Sequence, residues 1–157
     1  MTLNGSLVKV EVVPLSEVPL TEDPSLKDES ADLVLVVDDE PLLARTLSAI
    51  FEKHGFRALM AFDGKSALEL ARTARPQALI SEVSMPGIDG VALAIALARE
   101  VPECKVLLLS GKQGAEERVW GAWAAKHEFD FLARPVHPRV ILRHVFAMLG
   151  REVDLRG

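Results

Sequence analysis

The stretch LVLVVDDEP, from Leu33 to Pro41, sets the fold class of this chain of 157 residues. Its first five residues form an uninterrupted apolar run, which is typical of a parallel strand buried on both faces of a sheet. The acidic pair Asp38-Asp39 follows at once, and Pro41 suits the first turn of a helix. The stretch therefore predicts a buried strand that ends at a polar site and leads directly into a helix.

The alternation of strand and helix continues along the chain. In the first helix, which Gly55 stops, one face carries Leu43, Leu47, Ile50 and His54. The predicted strands are 33–37, 57–61, 77–81, 105–110 and 130–133, and the later helices are 64–75, 89–100, 115–126 and 138–149. The apolar stripe of the last helix consists of Leu142, Val145, Phe146 and Leu149. Short connections between such units predict an open, doubly wound α/β sheet.

Residues 1–31 differ in texture from the rest and predict an N-terminal arm or linker. Between Val8 and Val12, valine alternates with charged residues, which indicates one half-buried strand. Pro14 ends this pattern, so the segment suits at most an edge strand. We therefore predict an arm over 1–31, one domain over 32–150 and a short tail over 151–157.

Composition excludes several classes of protein. The net charge of −5 argues against a nucleic-acid binder, which needs clustered Lys and Arg. The apolar run VALAIALA, residues 91–98, is far shorter than the roughly 20 residues of a membrane span. No signal peptide is visible, and the single Cys104 cannot form an intrachain disulfide. We expect a cytoplasmic protein without nucleic-acid or membrane partners, with Cys104 as a small buried hydrophobe.

Polar residues follow four of the predicted strands, at the edge where a doubly wound sheet binds ligands. They are Asp38-Asp39, Glu82, Ser110 and Arg134. One aspartate is expected to cap the first helix. Neighbouring carboxylates raise each other's pKa unless a cation neutralises them, and oxygen ligands suit Mg²⁺. Arg134 could instead supply a charge-assisted, bidentate bond to Glu82.

Four motifs together resemble the receiver domain of bacterial two-component response regulators. They are VLVVDDE (34–40), MPGIDG (85–90), LLLSG (107–111) and FLARP (131–135). The resemblance covers about 33–149 and implies a flavodoxin-like sheet with strand order 2-1-3-4-5. In that family the peptide bond before the proline at 135 is usually cis.

The resemblance implies a role for each matching residue. Asp38 and Asp39 match the Mg²⁺-binding pair, completed by the residue at the phosphoacceptor position, Glu82, and the backbone carbonyl of Ser84. The residues implied to respond to the phosphoryl group are Ser110, Phe131 as the aromatic switch, and Arg134.

Two of these residues depart from the family pattern. Glu82 stands where the family has the phosphoacceptor aspartate, and Arg134 where it has lysine. Glutamate carries its carboxylate farther by one methylene, about 1.5 Å of bond, and such misplacement costs on the order of 100-fold in rate. We expect no enzyme but a signalling module that is phosphorylation-independent or weakly phosphorylatable. Glu82 would partly mimic the phosphorylated state, acting on Ser110, Arg134 and Phe131.

The resemblance also implies protein partners: a histidine kinase or a downstream effector. Family members pair or dock through a face that corresponds here to the helix 115–126, the strand 130–133 and the last helix. Trp120 and Trp123 lie on one side of the first of these helices and are candidates either for that face or for the core.

Three alternatives stay open. The chain could be a functional phosphoacceptor receiver, or a Mg²⁺-dependent phosphatase with Asp38 as the nucleophile. A flavin-binding module shares the topology, but the acidic run from Asp38 to Glu40 would repel its phosphate.

Overall fold

The computed structural model describes residues 30–110 and 127–152, and of Ser110 the backbone alone. The predicted arm strand, the predicted helix 115–126 with Trp120 and Trp123, and residues 153–157 lie outside the described residues. No helix in the described ranges is both long and apolar enough to span a membrane.

Five parallel strands form one sheet in the order β2-β1-β3-β4-β5, which confirms the predicted fold class. The strands are β1 Leu33–Val37, β2 Arg57–Ala61, β3 Ala78–Glu82, β4 Lys105–Ser110 and β5 Asp130–Ala133. The helices of the described residues are α1 Pro41–Lys53, α2 Gly64–Ala74, α3 Gly90–Glu100 and α4 Pro138–Met148.

The interior strand β1 is buried along its whole length because helices cover both faces of the sheet. Its side chains alternate between the two faces, as in any strand. Val34 and Val36 belong to a core cluster with residues of α1 and α4. Leu35 and Val37 belong to a second cluster with residues of α2 and α3. The continuous apolar run is thus explained by two separate cores, one on each side.

The buried stripe of α1 is rotated from the predicted one. The structure buries Ala44, Leu47, Ser48 and Phe51, at the helical spacing i, i+3, i+4 and i+7. Leu43, predicted to share one face with Leu47, is 39% exposed, whereas Leu47 is buried, so the predicted face is not the buried one throughout. The sheet lies against the side of α1 that carries the small Ala44, which lets the helix approach closely.

Several element boundaries move by one residue, and one of these shifts matters for the site. Strand β3 is 78–82 rather than 77–81, so Glu82 is its last residue and pairs in the ladder with Leu109. Gln77 lies just before the strand, and its side-chain Oε1 accepts the Leu33 N–H at 2.6 Å. The position of the Glu82 backbone is therefore set by the sheet and not by a loop.

Candidate functional site

The carboxyl ends of three strands bring together Asp38, Glu82 and Arg134. Asp38 directly follows β1, Glu82 ends the neighbouring β3, and Arg134 follows β5. Ser110 ends β4 opposite Ala133, so its backbone lies at the same edge of the sheet. This is the edge at which the sequence predicted a functional site.

Asp38 is nearly fully buried, with a residue exposure of 3%. Its Oδ1 accepts the backbone N–H of Glu40 at 2.9 Å, a local bond that is typical of an aspartate before a turn. The prediction that one aspartate caps α1 was wrong, because the N-cap residue is Glu40 and makes no side-chain capping bond. Asp38 instead orders the turn before the helix and keeps Oδ2 facing the site.

Arg134 contacts both buried carboxylates of the site. Its Nη2 donates to Oδ2 of Asp38 at 3.0 Å, while Nη1 lies 3.9 Å from Oε1 of Glu82. The predicted bidentate bond to Glu82 alone is therefore not what the structure places here. The guanidinium spans two carboxylates, and its closer partner is Asp38.

The orientation of Glu82 explains this arrangement. Its carboxylate is 3% exposed, and Oε2 accepts the backbone N–H of Val83 at 2.8 Å. The side chain thus folds back onto the chain that follows it. The remaining oxygen, Oε1, is the one that faces Arg134.

The predicted metal ligands are the carboxylates of Asp38, Asp39 and Glu82 and the backbone carbonyl of Ser84. Their oxygen donors fit Mg²⁺ in chemical type. With Arg134 lying between these side chains, no three His, Cys, Asp or Glu side chains of the described residues are grouped to hold a metal ion. Arg134 already contacts two of these carboxylates. The ligand set stays a prediction.

The predicted switch residue Phe131 lies in β5, opposite Leu108 in the ladder. It is half-buried and packs against the core cluster between the sheet and the helices α2 and α3. The peptide bond between Arg134 and Pro135 is cis, as the family resemblance implied.

Two glycines that sequence reasoning missed hold the loop after Glu82 in place. A Cβ added at Gly64 would lie 2.8 Å from Cβ of Ile88, and one at Gly90 would lie 2.9 Å from Cα of Val83. The available signal is the dipeptide Asp-Gly, which begins both α2 and α3. In each case the aspartate caps the helix and the glycine permits close approach.

Cys104 lies away from the site, just before β4, and is buried. Burial, reinforced by the nearby charge of Glu103, raises the pKa of its thiol to about 12. The predicted role as a small buried hydrophobe fits this environment, since the reactive form of cysteine is the thiolate.

Comparison with known proteins gives a consistent result. Residues 34–146 match the family described as "Response regulator receiver domain". Protein PilH of Pseudomonas aeruginosa is 30% identical over 119 residues, which cover 74% of this chain and 97% of PilH. The probable transcriptional regulatory protein TcrX of Mycobacterium tuberculosis is 35% identical over 118 residues, 75% of this chain and 50% of TcrX. The chain thus spans nearly all of PilH but about half the length of TcrX.

A solved structure with the same fold is the receiver domain of the sensor histidine kinase PA1611 from Pseudomonas aeruginosa PAO1. Its TM-score is 0.68 at 22% identity, and the match covers 77% of this chain and 99% of that one. That structure has a magnesium ion coordinated in its active site cleft. At this identity the likeness shows the fold alone.

Proposed function

The chain belongs to the response regulator receiver domain family of two-component signalling, and we propose that it signals through protein contacts without phosphorylation of Glu82. The functional unit in this proposal is residues 32–150. The observation that carries it is the state of the Glu82 carboxylate, which is buried, bound to a backbone N–H and faced by an arginine.

Phosphoryl transfer needs a nucleophile positioned in line with the incoming group, with cations that balance the equatorial oxygens. The arrangement around Glu82 meets neither condition, because its carboxylate oxygens and the Arg134 guanidinium are already engaged. Oε2 is hydrogen-bonded to the Val83 N–H, and Oε1 points toward Arg134. An incoming phosphoryl donor would have to displace the guanidinium from both Glu82 and Asp38. This arrangement favours a site that stays locked over one that cycles.

The locked site would partly imitate the phosphorylated state. Glu82 places a buried negative charge opposite Arg134, although it carries one charge where a phosphoryl group carries about 1.5 to 2. In our proposal the signal passes through Ser110 and Phe131 to the face formed by β5 and α4. Within that face Val140 is 39% exposed, and Nε2 of His144 lies 2.8 Å from Oδ2 of Asp130.

The partner in this proposal is a protein, either a histidine kinase or a downstream effector, or a second copy of the chain bound through the same face. Named relatives support a signalling role rather than catalysis, since TcrX is described as a transcriptional regulatory protein. Magnesium, as found in the PA1611 receiver, is not needed for signalling of this kind.

The test is incubation with acetyl phosphate and Mg²⁺, followed by intact-mass spectrometry of the wild type and the Glu82→Asp variant. We expect the wild type to gain no phosphoryl group and the variant to gain one, because the shorter side chain withdraws one of the two carboxylates that hold Arg134, so that Mg²⁺ and the phosphoryl donor displace the guanidinium more readily. Glu82→Gln serves as the control, because it keeps the size of the side chain and removes the nucleophile.

Phosphorylation of the wild type that Glu82→Gln abolishes would contradict the proposal and establish a functional phosphoacceptor. If Glu82→Asp also stays unmodified, the double variant Glu82→Asp/Arg134→Lys separates the two departures from the family pattern. Labelling of the double variant alone would show that Arg134 closes the pocket.

A further inference from the structure

The charges at the carboxyl ends of the strands need a cation. Asp38 and Glu82 are both 3% exposed and lie on neighbouring strands. Buried like charges destabilise each other, and removing a carboxylate from water costs several kcal/mol unless it is paired. Among the residues that the structure describes, Arg134 contacts both carboxylates, at 3.0 Å from Asp38 and 3.9 Å from Glu82.

Every carboxylate oxygen of this pair faces a nitrogen. Oδ1 of Asp38 accepts the Glu40 N–H and Oδ2 accepts from Arg134. Oε2 of Glu82 accepts the Val83 N–H, and Oε1 faces the second terminal nitrogen of Arg134. A divalent cation at these oxygens would have to displace the Arg134 guanidinium.

Arginine suits this position better than lysine would. The guanidinium is planar and presents two terminal nitrogens in a rigid fork, so it can contact two separate carboxylates at once. Lysine offers a single compact charge. The side chain of Arg134 is 27% exposed and also lines an apolar cavity between α1 and α4, with Leu43 and Ile50 among its walls. The arginine is therefore held by packing as well as by charge.

We propose that Arg134 is the resident cation of this site, so that the wild-type protein balances its buried carboxylates without a divalent metal ion. Removal of the arginine charge leaves hard oxygen donors without a counterion and converts the site into one that takes Mg²⁺. This inference rests on the proposed function for the identity of the site, but it concerns cation binding and is measured without phosphoryl transfer.

The experiment is a titration of the 157-residue chain with MgCl₂ at constant ionic strength, read by isothermal titration calorimetry and by the thermal unfolding midpoint. The variants are Arg134→Gln and, as a matched control, Arg139→Gln, because Arg139 is an exposed arginine on α4. A ligand that binds the folded state raises the midpoint. We expect Mg²⁺ to raise the midpoint of Arg134→Gln and to leave that of the wild type and of Arg139→Gln unchanged.

In affinity, Arg134→Gln should bind Mg²⁺ at least about tenfold more tightly than the wild type, which corresponds to about 1.4 kcal/mol. Equal affinity of the two proteins, or a folded Arg134→Gln variant that does not bind Mg²⁺, would overturn the inference. If Arg134→Gln does not fold, Mg²⁺ binding is measured on the wild type and on Asp38→Asn instead. Millimolar or tighter Mg²⁺ binding that Asp38→Asn abolishes refutes a resident arginine cation, and an absence of such binding supports it.

Failure of this inference is distinguishable from failure of the proposed function. If the wild type binds Mg²⁺ but is not labelled by acetyl phosphate, the inference of a resident arginine cation fails and the proposed function stands. If the wild type is labelled but shows no measurable Mg²⁺ binding, the proposed phosphorylation-independent function fails and the inference of a resident arginine cation stands.

Discussion

Gly90, the first residue of α3, offers a direct test of how closely this helix is held against the candidate site. Its backbone N–H donates to the carbonyl oxygen of Val83 at 2.8 Å. A Cβ added at Gly90 would lie 2.9 Å from Cα of Val83 and 3.0 Å from the carbonyl carbon of Glu82, and closer still to that carbonyl oxygen. Backbone atoms cannot rotate away as a flexible side chain can, so Gly90→Ala must move α3 or the end of β3.

Two opposite contributions determine the size of the effect. Alanine is favoured over glycine in a helix by up to about 1 kcal/mol, which would stabilise the variant. Overpacking costs about 1–3 kcal/mol. To bring the Val83 contact from 2.9 Å to the ordinary 3.4 Å, the backbone must shift by at least about half an ångström. Because the contacts are all with backbone, we expect overpacking to prevail, with a net loss of about 1–2 kcal/mol in the free energy of unfolding.

The assay is urea unfolding followed by far-UV circular dichroism, combined with the NMR chemical shift of the Val83 amide. The control is Gly87→Ala, because Gly87 has φ +74° and open space around an added Cβ. That variant should lose about 1–2 kcal/mol through left-handed backbone strain and leave the Val83 amide in place. A Gly90→Ala protein as stable as the wild type, with an unshifted Val83 amide, would refute the close approach.

Three further predictions concern other described residues. Ser48→Ala should raise the free energy of unfolding by about 0.5–1 kcal/mol, because the Ser48 hydroxyl is buried without a described hydrogen-bond partner. A lower free energy of unfolding in urea would instead reveal a hidden hydrogen-bond partner. Since burial raises the pKa of Cys104 from 9.0 to about 12, alkylation by iodoacetamide at pH 8 should be at least about 1000-fold slower in native than in unfolded protein. Equal rates would show that the thiol is exposed. Hydrogen bonds from Ser66 hold the pKa of Asp63 below 3.8, so its stabilisation is complete above that pH and is lost as pH falls through the folded-state pKa. The stability difference between wild type and Asp63→Asn should therefore be constant near neutral pH and shrink below pH 3.8, as acid titrations of both proteins would measure.

The fold could be predicted because its strands are buried on both faces. Such strands require continuous apolar runs, and short connections to helices then allow few topologies. Element boundaries were less predictable, since they depend on partners in the sheet. Gln77 was assigned to β3, yet its side chain bonds to Leu33 and the ladder begins one residue later. A single sequence does not contain this information.

The stripe of α1 shows a second limit. A search for large apolar residues at helical spacing selects Leu43, whereas the structure buries Ala44 and leaves Leu43 partly exposed. Alanine carries little hydrophobic signal, but its small size decides which side of a helix can lie closest to a sheet. Size and hydrophobicity favour different faces here, and close packing prevails.

The site was predictable in its residues but not in its pairing. The topology places Asp38, Glu82 and Arg134 at one edge, whatever their rotamers. Which carboxylate Arg134 contacts depends on where the Glu82 side chain points. The backbone N–H of Val83, which donates to Oε2 of Glu82 at 2.8 Å and also to the carbonyl oxygen of Leu109 at 3.0 Å, fixes that direction. Local hydrogen bonds of this kind are invisible to reasoning from strand ends alone.

Glu82 and Arg134, the two residues that we interpret as departures from the family pattern, contact each other in the structure. With Glu82 in place of an aspartate, the carboxylate can reach back to the Val83 N–H while its other oxygen remains 3.9 Å from Arg134. An arginine can then serve Asp38 and Glu82 together, which a single ammonium group does less well. Reversing only one departure leaves a mismatched pair: Glu82→Asp alone retains a guanidinium over Asp38, and Arg134→Lys alone retains the longer carboxylate. We expect the effects of Glu82→Asp and Arg134→Lys on the free energy of unfolding to be non-additive in a double-mutant cycle, as for other residues in contact, and additive effects would refute the coupling.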